Sequence, residues 1–292
     1  MKRTMTVRAA FENQYRRYRL RCASPSTLLQ FRVNLKHFDE YLGHEATLVD
    51  LTNEEVAGCM AHLVETGRAV PTANKFRTNI LSVWLLLCRR GELKTWPDVD
   101  KMREPQRCPR AWTKRELERL FAECLRVRGF VVGVPAAQWW HTLHLAAWDS
   151  GERISALLAT RWEAVDLPGR WLFVPAESRK GKTADRIYRL HRETVAALRA
   201  VREPARELVW PWPLHRSSLW NHYARILRAA GLPFDRKSKF HRIRKSMASH
   251  AAAAGLDATA LLGHSHPKVT AAYLDERIVT RPHASDVLFR PG

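Results

Sequence analysis

A proline-rich, highly charged stretch near the end of the first third of the chain limits what it can fold into. Residues 96–112 read WPDVDKMREPQRCPRAW, with three prolines and no sustained apolar period. Proline removes a backbone donor and fixes φ, so such a run is typical of a connection between domains. The sequence of 292 residues therefore predicts a helical domain over 1–97, a linker over 98–111 and a second domain over 112–292, in keeping with about two domains for this length.

The first domain is predicted to consist of helices. Ser24-Pro25 is typical of an N-cap followed by proline at the first helical position, and apolar residues recur after it at spacings of three and four. A second helix begins with a capping box of Thr52 and Glu55 and closes on Gly67. These patterns predict a small helical unit with basic exposed faces.

The second domain combines helices with a small sheet. It begins with another capping box, of Thr113 and Glu116, and an apolar helical stretch follows over 136–149. Residues 168–191 alternate in short runs that are broken by Pro168-Gly169 and by a turn at Gly181, which predicts a three-stranded antiparallel meander. Helices return over 193–278. The predicted fold is mainly α with a small antiparallel β-meander.

The charge balance predicts a large anionic partner. Lys and Arg number 49 against 29 Asp and Glu, a net charge of +20, and net charge of this size governs association rather than fold. No apolar run reaches the ~18 residues of a transmembrane helix, and the basic N-terminal stretch lacks the apolar core and cleavage site of a targeting peptide. We therefore expect a nucleic acid as the partner, no membrane, and a cytoplasmic location.

The number and spacing of the cysteines are typical of reduced thiols. Five cysteines are an odd number, widely spaced and without a CxxC pair, which disfavours a zinc finger and predicts reduced thiols in the core.

Two candidate functional stretches of the second domain are weak when each is taken alone. In SGERIS, Arg153 follows a glycine turn and begins a helix, and its planar guanidinium can bind two phosphate oxygens at once. In ESRKGKTAD, Lys180 and Lys182 lie on a predicted hairpin turn, from which an ammonium can protonate a leaving oxygen. For either stretch alone, a surface arginine or solvated lysines are the better explanation.

Two further stretches are more informative. His241 and Arg244 lie three residues apart on a predicted helix, and six of the eleven residues from Asp235 to Lys245 are basic. A solvated face explains that charge but gives no reason for the histidine. His264 follows Gly263, and Tyr273 lies nine residues later, along a short helix that is predicted to begin at Pro267. Tyrosine, with a free pKa of ~10, becomes a useful nucleophile when cations stabilise the developing charge.

The order of these residues closely resembles that of the tyrosine recombinases, the phage integrase family: Arg, a hairpin Lys, His-x-x-Arg, Gly-His and then Tyr. The resemblance covers nearly the whole chain, because SPSTLLQFRVNLKHF to CRRGEL is similar to the family's helical core-binding domain and CPRAWTKRELERLF to the entry of its α+β catalytic domain. It implies a site-specific recombinase that acts on double-stranded DNA as an oligomer, which we expect to be a tetramer.

The resemblance also implies a role for each site residue. Arg153 and Arg244 would clamp the scissile phosphate, His241 and His264 would support it and assist proton transfer, and Tyr273 would be the nucleophile. Lys180 is preferred over Lys182 as the catalytic lysine because it directly precedes the glycine of the turn. Tyr273 would attack in line to form a 3′-phosphotyrosine bond and release a 5′-hydroxyl, and we expect no metal ion and no other cofactor.

The chain departs from the family pattern in two places. The acidic residue that commonly stands three positions after the first arginine is replaced by Ala156, and His264 follows Arg244 by only 20 positions. Neither change removes a catalytic group, but the first leaves the orientation of Arg153 to another residue, for which Glu152 is the candidate.

Three alternatives remain open at this point. A type IB topoisomerase uses much the same residues, and differs in letting a strand swivel instead of joining two duplexes. A DNA-binding regulator of the same fold is expected to have lost site residues, yet every position is filled here. A metal hydrolase that uses His250, His264 and His266 is the weakest, because their spacing matches no known ligand motif.

Overall fold

The chain forms two compact units. The computed structural model describes residues 5–105, 107–179, 184–279 and 288–289, and the contacts within the chain separate Met1–Gln106 from Arg107–Gly292. This boundary falls inside the stretch that the sequence marks as a linker.

The first unit is helical. It contains α1 (Val7–Ala10), a π-helical turn (Phe11–Tyr15), α2 (Arg16–Arg19), α3 (Pro25–Leu42), a 3-10 turn (Leu48–Asp50), α4 (Asn53–Glu65) and α5 (Val70–Arg89). Its core is built from buried aromatic side chains surrounded by aliphatic ones, and these aromatics are Phe11, Phe31, Phe38, Phe76 and Trp84. The predicted helical nature of this unit is confirmed.

Local capping explains where the helices begin. The Ser24 hydroxyl accepts a hydrogen bond from the Thr27 N–H directly before Pro25, as the sequence predicts. In the second unit, Thr113 and Glu116 form a capping box in both directions. Several helix starts could therefore be located from the sequence.

The predicted linker is not a free tether along its first part. Val99 is buried, the N–H of Asp98 donates to the side chain of Asn53 at 2.9 Å, and Asn74 exchanges two hydrogen bonds with the main chain of Met102. Such side chains satisfy an extended segment that has no regular partner. Residues 98–104 thus run along the surface of the first unit.

The second unit is built around one buried helix. Its helices are α6 (Lys114–Cys124), α7 (Ala136–Ser150), α8 (Ile154–Leu158), α9 (Arg192–Ala200), α10 (Arg216–Ala229), α11 (His241–Ala253), α12 (Ala258–Leu262) and α13 (Pro267–Ala271). Helix α7 contributes Trp139, Trp140, Leu143 and His144 to the core, and it packs against α6, α9 and α11. No helix in the described part of the chain is long and apolar enough to cross a membrane.

The predicted three-stranded meander is confirmed, and the predicted turn at Gly181 lies outside the described residues. Strands β3 (Val165–Asp166), β4 (Trp171–Val174) and β5 (Arg186–Arg189) form an antiparallel sheet in the order β3-β4-β5, with Leu172 opposite Tyr188. A small hairpin of β1 (Phe130–Val131) and β2 (Val134–Pro135), which the sequence pattern did not indicate, precedes α7. Two-residue strands are too short to show a period, so no pattern could have revealed them.

The prediction of core thiols is right for three cysteines and wrong for two. Cys59, Cys88 and Cys124 are buried, whereas Cys22 and Cys108 are exposed. The two exposed cysteines lie in the loop before α3 and in the segment that precedes α6, so neither belongs to the apolar face of a helix.

Candidate active site

Arg244 is the central side chain of the site. It projects from α11 and is only 1% exposed. One terminal nitrogen donates to the carbonyl of Gly151, and the other donates to the carbonyl of Leu262 at 2.9 Å and lies 3.4 Å from Nε2 of His264. Arg244 therefore joins the end of α7 to the turn after α12.

The two turns that Arg244 contacts both depend on glycine. Gly151 ends α7 with φ of +61° and Gly263 ends α12 with φ of +64°, a region that disfavours residues with a Cβ atom. A Cβ on Gly263 would also collide with the guanidinium of Arg186. These turns place Arg153 two residues beyond Gly151 and His264 two residues beyond Leu262, whose carbonyls accept from Arg244.

His264 is held between Arg244 and Thr270. Its Nδ1 lies 3.0 Å from the Thr270 hydroxyl, and its Nε2 accepts from Arg244, so the neutral ring carries its proton on Nδ1. Partial burial and then the charges of Arg244 and Arg153 lower the pKa of His264. In the protein without DNA this imidazole is therefore mostly neutral at pH 7.

His241 lies at the start of the same helix as Arg244 and faces Tyr273. Desolvation and then Arg244, Lys245, Arg153 and His264 lower the pKa of His241 to about 4. The side chain still has an exposed edge, so water screens part of the repulsion from these cations. His241 is neutral at pH 7, and a neutral imidazole can accept a proton.

Tyr273 lies just beyond α13 and not within it, which corrects the expectation that the tyrosine is part of this helix. Its ring centroid is 5.3 Å from that of His241 and 4.8 Å from that of His264, and Cζ of Arg244 lies 5.8 Å from it. Its N–H donates to the carbonyl of Thr270 at 2.8 Å, and its carbonyl accepts from Ser249. These contacts use the ring and the main chain, and none of them uses the hydroxyl.

Arg153 is the N-cap residue of α8 and lies near the other cations. Its backbone is extended, with φ of −73° and ψ of 141°, and its side chain is half-buried. Its charge lowers the pKa of both histidines and of Arg244. Within residues 5–179 and 184–279, its guanidinium has no hydrogen bond or ion pair, so it is available for an anion.

The sequence suggests Glu152 as the residue that orients Arg153. The described hydrogen bonds of Glu152 do not include the guanidinium of Arg153. One carboxylate oxygen accepts from the Arg153 N–H at 3.0 Å, and the other accepts from Nε of Arg179 and from the Tyr188 hydroxyl, each at 2.6 Å. Burial acts to raise the pKa of Glu152, but these hydrogen bonds lower it overall. Glu152 thus fixes the main chain at Arg153 and joins it to Arg179.

Sequence reasoning missed Arg179 and Tyr188. The signal was weak, because Arg179 is one cation among several in a basic turn and Tyr188 is one residue of an alternating strand. Lys180 and Lys182, the candidates for the catalytic lysine, lie outside the described residues, and Arg179 is the last described residue before them.

Replacing Glu152 by Gln is expected to lower the stability of the protein. The Glu152 side chain is fully buried and that of Arg179 is 9% exposed, and removing one charge of a buried pair leaves the other uncompensated, at a cost of roughly 3–5 kcal/mol. Chemical denaturation monitored by tryptophan fluorescence measures this loss. The exposed Glu163→Gln is the matched control, with an expected change of less than about 0.5 kcal/mol. Equal stability of the two variants would contradict the structural role of Glu152.

A basic cleft lies beside the site. It has a volume of about 880 Å³ and includes His241, and Asp235 is the one acidic side chain among its lining residues. Most of the other lining side chains are cations, and these are Arg107, Arg110, Arg236, Lys237, Lys239, Arg242 and Lys245. Like charges at this density are stable only when they are solvated or meet an anion. The cleft is therefore suited to the phosphates of a nucleic acid backbone.

The histidines of the metal-hydrolase alternative are each used elsewhere. His250 lies 3.0 Å from the carbonyl of Trp112, His266 caps α13 by accepting from the Lys268 N–H, and His264 contacts Arg244 and Thr270. In the part of the chain that the structure describes, no group of three or more His, Cys, Asp or Glu side chains is arranged to hold a metal ion.

The sequence matches the model of the phage integrase family over residues 110–278. No curated protein matches the chain.

The fold is similar to that of several solved integrases. The Tn1549 transposon integrase in complex with a circular intermediate DNA has a TM-score of 0.74 at 14% identity, with 93% of this chain and 95% of that chain covered. The lambda integrase (75–356) dimer bound to a COC′ core site has a TM-score of 0.73 at 18% identity, with 96% and 99% covered. The lambda integrase tetramer bound to a Holliday junction has a TM-score of 0.71 at 18% identity, with 94% and 78% covered.

Proposed function

This chain belongs to the phage integrase family and is a site-specific DNA recombinase of the tyrosine type, and we propose that it cleaves and rejoins DNA strands with Tyr273 as the nucleophile. The observation that carries the proposal is the assembly of His241, Arg244, His264 and Tyr273 around one point. The tyrosine hydroxyl is free of the contacts that hold its ring there, which leaves the oxygen available to a phosphate.

In the proposed reaction, the Tyr273 oxygen forms a bond to the scissile phosphorus while the bond from phosphorus to the 5′-oxygen breaks. The phenolic proton passes to neutral His241, and the 5′-oxygen leaves as a hydroxyl after taking a proton from Lys180. Arg153 and Arg244 stabilise the charge that develops on the phosphate, which is the kind of preorganised stabilisation that lowers barriers most. No metal ion or other cofactor is needed in this scheme, because the cations of the chain supply the positive charge.

His264 has a second role in the scheme. Its Nε2 accepts from Arg244 in the protein without DNA, so it can donate to a phosphate oxygen only after it gains a proton. The negative charge of a bound phosphate favours that protonation. His264 would therefore change from an acceptor for Arg244 to a donor for the phosphate as DNA enters.

The partner is double-stranded DNA, and we propose that the basic cleft of the second unit holds its backbone while residues 1–97 contact the duplex as a core-binding domain. We further propose that the active assembly is a homotetramer on two DNA sites and that the protein works in the cytoplasm. The lambda integrase tetramer on a Holliday junction supports this assembly by analogy of fold.

The function is tested by covalent capture. The protein is incubated with a pool of nicked duplexes of random sequence, and the DNA that stays bound in detergent is sequenced to find the cleavage site. Two copies of that site are then placed on one plasmid. Deletion or inversion between them is the expected result. Relaxation of the plasmid without exchange would favour the topoisomerase alternative, and binding without any covalent capture would favour the regulator.

Proton uptake is expected when DNA binds near pH 6. Both histidines have a lowered pKa in the free protein, about 4 for His241, and a bound phosphate raises these values, so the complex takes up protons between the free and the bound pKa. Affinity should therefore fall as the pH rises through this window. Calorimetry in two buffers of different ionisation enthalpy measures the uptake, which His264→Gln should reduce, because His264 is the ring that gains a proton in this scheme. An unchanged uptake in that variant would remove His264 from the phosphate site.

A further inference from the structure

The segment that carries Tyr273 is held by an unusual buried carboxylate. Asp275 is only 2% exposed, although burying an unpaired carboxylate costs several kcal/mol. It is compensated by the N–H of Ala111 at 2.7 Å and by Arg277, which donates from its main chain and from its guanidinium. The hydrogen bonds to Asp275 lower its pKa to about 2 despite the burial, so it is charged throughout the working range of pH.

The hydroxyl of a single serine contacts the main chain of both Asp275 and Tyr273. The Ser249 hydroxyl on α11 accepts from the N–H of Asp275 at 3.0 Å and lies 3.1 Å from the carbonyl of Tyr273. Tyr273 itself lies beyond the end of α13 at Ala271, so no regular helix fixes the residues that follow it. The position of the tyrosine therefore depends on Thr270 before it and on Ser249 and Asp275 after it.

Asp275 and Arg277 contact the chain near the start of the second unit. Asp275 accepts from the N–H of Ala111, and Arg277 donates to the carbonyl of the same residue at 3.3 Å. The residues directly before it, Arg107 to Arg110, line the basic cleft. Phosphates in this cleft would therefore bind to a segment that is hydrogen-bonded to the residues after Tyr273.

We propose that Asp275, paired with Arg277, is a positioning residue for the nucleophile: it fixes the segment after Tyr273 against the main chain of Ala111 and so sets where the tyrosine oxygen meets the phosphate. This inference rests on the proposed role of Tyr273. A displacement of about 1 Å at a reacting group can cost ~10²-fold in rate, so the contact has a measurable effect on cleavage without touching DNA.

The test compares Asp275→Asn with Glu276→Gln. Asparagine keeps the shape and one acceptor but loses the charge that pairs with Arg277, whereas Glu276 is the exposed neighbour on the same segment and loses the same charge. In single-turnover cleavage of a nicked duplex at saturating protein, we expect Asp275→Asn to form the covalent adduct about 10²-fold more slowly, with DNA affinity within about threefold of the unmodified protein. Glu276→Gln should cleave normally.

A second measurement separates positioning from general loss of structure and does not require cleavage. The protein has 6 tyrosines, and labelling with 3-fluorotyrosine gives each a fluorine resonance; the signal of Tyr273 is the one that Tyr273→Phe removes. In Asp275→Asn only this resonance should shift or broaden. A shift of several resonances together, or a normal rate of adduct formation, would overturn the proposal. Absence of any adduct with the unmodified protein would instead refute the proposed function, and the fluorine spectrum would still decide the position of Tyr273.

Discussion

Tyr273→Phe is expected to eliminate the covalent protein–DNA adduct while the protein folds and binds DNA as before. The substitution removes one oxygen and leaves the ring to pack against His241 and His264. Because the described contacts of Tyr273 do not use its hydroxyl, the free energy of unfolding should change by less than about 0.5 kcal/mol. Denaturing electrophoresis of protein mixed with nicked, labelled DNA measures the adduct, which survives detergent and is removed by protease.

Tyr188→Phe is the matched control for this experiment. It also removes one phenolic oxygen, but the Tyr188 hydroxyl donates to Glu152 at 2.6 Å in a buried environment. We therefore expect a loss of about 2 kcal/mol in stability and continued formation of the adduct. An adduct formed by Tyr273→Phe, or one mapped by peptide sequencing to Tyr188 or Tyr223, would refute the assignment of the nucleophile.

The second large effect is expected at the two arginines, and the structure predicts that they differ. Arg153→Ala and Arg244→Ala should each slow cleavage by roughly 10²–10³-fold or more, because each removes a donor to the developing phosphate charge. Only Arg244→Ala should also lower stability, by about 2–5 kcal/mol, since it leaves the carbonyls of Gly151 and Leu262 without their donor.

Single-turnover cleavage and chemical denaturation together test this difference. If both arginines only held the phosphate, both variants would fold normally. If Arg244 were only structural, Arg244→Ala, which has no charge to offer the phosphate, would cleave at the normal rate once the folded fraction is corrected for. Full recovery of that kind would remove Arg244 from the catalytic group.

Much of this arrangement could be predicted because it depends on local chemistry. The cap at Ser24, the capping box at Thr113 and the meander around Gly169 each follow from a few neighbouring residues. The family resemblance then placed Arg153, His241 and Arg244 in one site by their order along the chain. Capping and turn residues report on the backbone within a few positions, which is why these predictions agree with the structure.

The contacts between distant segments could not be predicted in the same way. Glu152 meets Arg179 across 27 positions and Asp275 meets Ala111 across 164, and no local pattern records which charge will find which partner once the chain is folded. The exposure of Cys108 was missed for a similar reason. Cys108 lies in a loop between arginine and proline, and a loop has no periodic pattern that shows whether a residue is buried or exposed.

The unequal burial of the cysteines has a practical consequence for detecting DNA in the basic cleft. Burial raises the pKa of Cys59 to about 12 and also raises that of Cys88 and of Cys124, and thiolates rather than thiols react with maleimides. Cys22 and Cys108 are exposed, and they lie in different units. Cys108 also lines the basic cleft, so a small maleimide should modify it more slowly when DNA occupies the cleft. Cys22 is not among the residues that line that cleft and provides an internal reference without any engineered cysteine.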